Sequence, residues 1–167
     1  MNVNIRFAIV LLVGLACQAV IVPLIAIGPV KPDLVLIIVA VFGFLDGPAQ
    51  GAVGGFLGGF LQDLLAARSI GLEALVKTLI GYFSGQVERT ILGNSALMPM
   101  LAIGGVSVAS QTLYAALASI VGEPVPLIRA MRIIILPSAL YTAVIGLVVW
   151  TRLTRLLSAE REATVFK

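Results

Sequence analysis

Glycine recurs every fourth residue at Gly43, Gly47, Gly51, Gly55 and Gly59, and Gly54 and Gly58 make a second row one position out of step. In water such a run weakens a helix, because each glycine costs about 1 kcal/mol relative to alanine. In lipid the balance reverses. Helices associate there through close backbone approach, and glycines four apart open a groove for a neighbour. The run therefore points to tightly packed helices in a membrane, provided the rest of the chain is apolar enough. Composition meets that condition: of 167 residues, 60% are hydrophobic and 11% charged, against roughly 25% charged in soluble domains. A net charge of +3 is thinly spread, which argues against nucleic acid and leaves the basic residues as topology and interface anchors. Cys17 is the single cysteine and there is no histidine. An internal disulfide is excluded, a conventional zinc, copper or haem site is not expected, and no cofactor is anticipated.

A spanning helix needs about 20 mainly apolar residues. Segments 7–28, 51–67, 72–87, 97–122 and 133–150 qualify or nearly do. The first resembles a secretory signal, but its apolar run continues about ten residues past Cys17, too long for a signal core. It reads as an uncleaved span. Between the first and second lies 33–46, about 21 Å of helix against a core of about 30 Å. It is a short or thinned span, or a re-entrant segment. Pro48 then suits the first turn of the next helix, where its missing N–H costs nothing. The expected fold is an all-α, polytopic membrane protein of about six transmembrane helices with a short second segment. One transmembrane domain occupies 1–150, followed by an amphipathic tail at 151–167, with its arginines and leucines interleaved along the cytoplasmic lipid surface.

Six spans place both termini on one side. With that side cytoplasmic, it holds Arg6, Arg89, Arg152, Arg155, Arg161 and Lys167, against Lys31, Arg68, Arg129 and Arg132 opposite, a positive-inside bias. Segment 123–132 reads as a proline-stiffened outer loop, and Trp150 as an interfacial anchor.

Charges within spans are expensive, about 2.5–3.5 kcal/mol at a helix centre. Asp63 lies near the end of the third span and Lys77 near the start of the fourth. Antiparallel neighbours would bring them to similar depth, and Glu73 precedes Lys77 by the favourable four positions. Asp63, Glu73 and Lys77 thus form a candidate intramembrane charge cluster. It either pins two helices together or meets a partner or ligand. Ser107, Ser110, Gln111 and Tyr114 make a polar stripe on the fifth span, and Ser138, Tyr141 and Thr142 a weaker one on the sixth, after an expected kink at Pro137. Such stripes hydrogen-bond neighbouring helices or line a small-molecule cavity. No catalytic set is present: there is no histidine base, the glycine run lacks the Lys-Ser/Thr of a phosphate-binding loop, and Ser84 is two turns from Lys77. The chain is not expected to be an enzyme.

Lys31-Pro32-Asp33-Leu34, Gly59-Phe60-Leu61-Gln62-Asp63-Leu64-Leu65, Ile70-Gly71-Leu72-Glu73-Ala74-Leu75 and Thr78-Leu79-Ile80-Gly81-Tyr82 together resemble the rod shape-determining membrane protein family MreD. The likeness is strongest from Lys31 to Gly85; the last two spans match in hydrophobic character alone. It implies a multi-pass subunit of the bacterial inner membrane, in the elongation machinery that directs lateral cell-wall synthesis. The implied partners are MreC, the MreB filament, and the RodA glycosyltransferase with its penicillin-binding transpeptidase. Motif positions carried over are Pro32, Asp33, Asp63, Gly71 and Tyr82, without individual roles. The outline also resembles the substrate-binding subunits of energy-coupling-factor vitamin transporters. That alternative requires an outward polar pocket lined from the loop 67–71, Gln111, Tyr114 and Tyr141.

The glycines themselves divide. Gly47-Pro48 interrupts the run, leaving Gly51, Gly54, Gly55, Gly58 and Gly59 as the helix-packing groove of the third span. A period of four drifts about 40° per step, so the groove winds and can touch more than one neighbour. This marks the third span as the expected centre of the bundle.

Overall fold

The computed structural model describes residues 3–66, 71–87, 97–123 and 126–165. The described residues form six main helices: α1 (Val3–Val20), α2 (Leu34–Asp46), α3 (Pro48–Ala66), α4 (Leu72–Ser84), α5 (Leu97–Ile120) and α6. The last starts at Leu127–Ala130, widens through a π-helical turn at Met131–Ile135 and continues as Leu136–Val165. Three stretches are long and apolar enough to cross a membrane, Phe7–Leu24, Leu97–Ile120 and Leu127–Arg152. The protein is an all-α membrane bundle. Arg68, Arg89 and Lys167 lie outside the described residues, and Arg6, Arg155 and Arg161 outside the described side chains. So does the interleaved pattern of the tail, although the helix itself runs on unbroken to Val165.

The centre of the bundle is α2, not α3. Every residue from Val35 to Phe44 is buried, and its faces serve different neighbours. Val35, Ile38, Val39 and Phe42 pack on Phe7, Leu11 and Leu15 of α1. Ile37, Val41 and Phe44 meet Ile103 of α5 with Ile145 and Val149 of α6. Leu36 joins Val76 and Ile80 of α4. A helix apolar all round is a buried helix, and that property outweighs the glycine groove as a marker of the centre. Its 13 residues make about 20 Å of helix. It need not match the bilayer, because its neighbours cover it. It is one continuous helix, antiparallel to α3, so the chain crosses the bundle there and does not double back.

Helix α3 is instead two-sided. Val53, Phe56, Leu57, Phe60 and Leu64 are exposed, whereas its glycines are buried. Both glycine rows are used, by different sets of neighbours. A Cβ at Gly51, Gly55 or Gly59 would stand 2.1, 2.0 and 2.4 Å from the carbonyl oxygens of Gly81, Lys77 and Glu73. The α3 numbers rise by four as the α4 numbers fall by four, so the helices are antiparallel in constant register with their backbones touching. A Cβ at Gly54 would meet the Phe7 ring, and one at Gly58 would meet Val35 and Leu11. The offset row therefore receives side chains from α1 and α2. A Cβ at Gly43 of α2 would also stand 2.9 Å from the Gly81 carbonyl oxygen, so α2, α3 and α4 converge there. Gly47 supplies the turn between them at φ +95°.

Two further expectations change. Segment 127–132 is helical, with Pro126 just ahead of the first turn, where a proline does no harm. The irregularity in α6 falls at Met131–Ile135, just before Pro137. The proline ring crowds the carbonyl four residues earlier, at Ile133, and the π turn absorbs that conflict without a break. Trp150 packs edge-to-face on Phe44, with centroids 6.2 Å apart, and is half-buried against α2.

Candidate functional site

Helix α2 begins inside the bundle, so its first N–H groups need partners that water would otherwise supply. The sequence Lys31-Pro32-Asp33-Leu34 is where these partners converge. The Leu34 N–H donates to Gln18 Oε1 of α1 at 2.7 Å, and Gln18 Nε2 donates to the Pro32 carbonyl at 3.3 Å. From α6, Thr142 Oγ1 accepts the Asp33 N–H at 3.2 Å, and Ser138 Oγ accepts that of Lys31 at 3.4 Å. Asp33 caps the helix, Oδ1 accepting the Leu36 N–H at 2.9 Å. Pro32 is fully buried, and it donates no N–H of its own that would need a partner there.

The second Asp33 oxygen reaches α4. Oδ2 lies 2.9 Å from Lys77 Nζ, which also donates to Glu73 Oε2 one turn earlier. The Lys77 side chain is wholly buried, whereas Asp33 and Glu73 keep 26% and 30% of theirs accessible. The cation is thus sealed beneath two carboxylates that face an opening. One positive charge against two negative ones leaves this triad at net −1.

Asp63 is not the third member. Oδ2 accepts the N–H of Gly71 at 2.8 Å and of Ala74 at 3.2 Å, and Oδ1 that of Glu73 at 3.2 Å. It satisfies the start of α4, a favourable place for an anion. The register explains the difference. Gly55 stands against Lys77, and Asp63 is eight residues beyond Gly55, about 12 Å along the helix. Distance from the helix ends placed Asp63 and Lys77 at one depth; the glycine contacts place them two turns apart. Gly71 has φ +102°, a left-handed conformation that favours glycine, and from there its N–H meets the carboxylate. Tyr82 lies away from this centre, exposed on α4 and edge-to-face with Phe83 at 5.7 Å.

Beside the triad is a cavity of about 420 Å³, lined among others by Lys31, Asp33, Glu73, Ser110, Gln111 and Tyr114. The α5 stripe contributes to it: Ser107 and Ser110 are buried, and Gln111 Nε2 donates to Ser107 Oγ at 3.1 Å. Tyr141 does not line it; its hydroxyl donates to the Ile25 carbonyl at 3.2 Å. Residues 67–70 lie outside the described residues. Among the described residues the arrangement offers two partly accessible carboxylates, an amide and a phenol. Gln18 was missed by sequence reasoning, although a lone amide within an 18-residue apolar stretch is itself a signal of interhelical bonding.

Comparison with known proteins agrees with this pattern. The family model described as rod shape-determining protein MreD matches residues 1–159. No curated protein and no solved structure matches the chain. The Lys31–Leu34 segment, the Asp63 cap and the Gly71 turn all fall within the matched residues, and the chain belongs to the MreD family of rod shape-determining membrane proteins.

Proposed function

We propose that this chain is a non-enzymatic scaffold subunit of the bacterial rod complex, supporting lateral peptidoglycan synthesis from the inner membrane. Family membership carries the reading. The ion-pair centre supports it, because Asp33 and Lys77 tie α2 to α4 and Asp63 ties α3 to α4. Such a molecule presents rigid surfaces. Its partners are MreC, whose single span packs on an exposed helix face, the MreB filament, and RodA with its penicillin-binding transpeptidase. In the proposed orientation both termini are cytoplasmic, and the Lys31–Asp33 end with its cavity faces outward. Residues 1–150 act as one domain and 151–167 form its cytoplasmic tail, with α6 running on without a break to Val165.

The second reading, a substrate-binding subunit of an energy-coupling-factor transporter, draws on the cavity, because Gln111 and Tyr114 both line it. Depletion followed by purification in mild detergent separates the two. Loss of rod shape with retention of MreC is the expected result. Intact shape, lost vitamin uptake and recovery of an ATPase pair would overturn the scaffold.

A further inference from the structure

The beginning of α6 is too long for the bilayer. Its apolar stretch Leu127–Arg152 has 26 residues, about 39 Å of helix, against a hydrocarbon core of about 30 Å. Helix tilt absorbs part of the excess; the remainder places the first turns among the headgroups. Those turns carry Arg129 and Arg132, both exposed and three residues apart on one helix face. Neither guanidinium has an ion-pair partner among the described residues. Exposed apolar side chains flank them, Leu127, Ile128 and Ile133. With Pro126, these five residues line an open groove of about 660 Å³. The π turn divides the two sides of the helix here. Ala130 and Ile135, five apart, are both buried and line the polar cavity together with Ile134. The arginines and Ile133 are left on the outer side.

We propose that this groove is a binding site for an anionic phospholipid, its phosphate between Arg129 and Arg132 and its acyl chain along Leu127, Ile128 and Ile133. Arginine matches a phosphate in both charge and donor geometry, and the apolar flank requires a ligand with a hydrocarbon end. The amphiphilic character distinguishes this occupant from a soluble phosphate.

The test uses the purified full chain in nanodiscs of phosphatidylcholine doped with phosphatidylglycerol. Co-purifying lipid is read by native mass spectrometry. Wild type should retain phosphatidylglycerol selectively, and Arg129→Gln with Arg132→Gln should lose about thirty-fold of that enrichment, two basic residues at a lipid surface. The double lysine variant should keep part of it. Soluble glycerol phosphate should not displace the lipid. Equal enrichment in the glutamine variant overturns the site. Displacement by glycerol phosphate overturns the lipid as its occupant, as does selective retention of an acidic protein segment in place of lipid. A folded glutamine variant is verified by an unchanged thermal transition in detergent.

Discussion

Asp33 is the residue on which most depends, because one carboxylate closes a helix cap and an ion pair at once. Removing one partner of a buried pair leaves an uncompensated charge, at about 3–5 kcal/mol. Asp33→Ala should therefore be the costliest change in the triad, because it leaves the wholly buried Lys77 with Glu73 alone and strips the cap from α2: it should lower stability in detergent by about that amount, read by thermal unfolding followed by fluorescence. Glu73→Gln should cost much less, since its carboxylate is partly accessible and Asp33 remains to neutralise the lysine. Asp63 belongs to a different set of bonds. A double-mutant cycle should give strong coupling between Asp33 and Lys77 and almost none between Asp63 and Lys77. Coupling of equal size in both cycles would contradict the register set by the glycines. Asp63→Ala by itself should cost about 1–2 kcal/mol as a lost cap.

Among the helices, α3 and α4 meet backbone to backbone, whereas the Gly54 and Gly58 row of α3 receives side chains from α1 and α2. The two glycine rows should respond differently to alanine. At Gly55 the new methyl would lie 2.0 Å from a carbonyl oxygen of α4, and backbone cannot step aside without displacing the helix. At Gly54 it would meet the Phe7 ring, a side chain able to rotate. Gly55→Ala should cost about 1–3 kcal/mol or more and Gly54→Ala less. Gly105 of α5 has nothing within 4 Å, so Gly105→Ala should be neutral or stabilising through helix propensity. Thermal transitions of the three variants in one detergent check the order. That the double glycine row touches more than one neighbour was legible in the sequence, because spacing alone sets the rotation of each step. The position of α2 was also legible in principle, from an all-apolar helix too short to span. It was obscured because glycine density marks close approach, not centrality. The Asp33 partner of Lys77 was not legible. Antiparallel register depends on which backbones touch, and a few residues of error moved Asp63 two turns away from its assigned partner.

At the scale of the whole molecule, polar chemistry concentrates at the end where α1 hands over to α2, α3 to α4 and α5 to α6. Lys31, Asp33, Asp63, Gly71, the cavity and the arginines of α6 all belong to that end. Among the described residues, contacts at the opposite end include Gly43 with Gly81 and Phe44 with Trp150. Sidedness is the decisive property, because a partner outside the cell membrane can use only an outward-facing end. In a Cys17→Ala background, single cysteines at Ile128, exposed beside the arginines, and at Arg152, exposed just beyond Trp150, report the two ends. A membrane-impermeant maleimide added to intact spheroplasts should label Ile128→Cys and leave Arg152→Cys unreacted. Inverted vesicles should reverse the pattern. Labelling of both positions from one side would mean that α6 does not cross the bilayer between Ile128 and Arg152. The reverse pattern in spheroplasts would turn the cavity, with Asp33 and Glu73, toward the cytoplasm and overturn the proposed orientation.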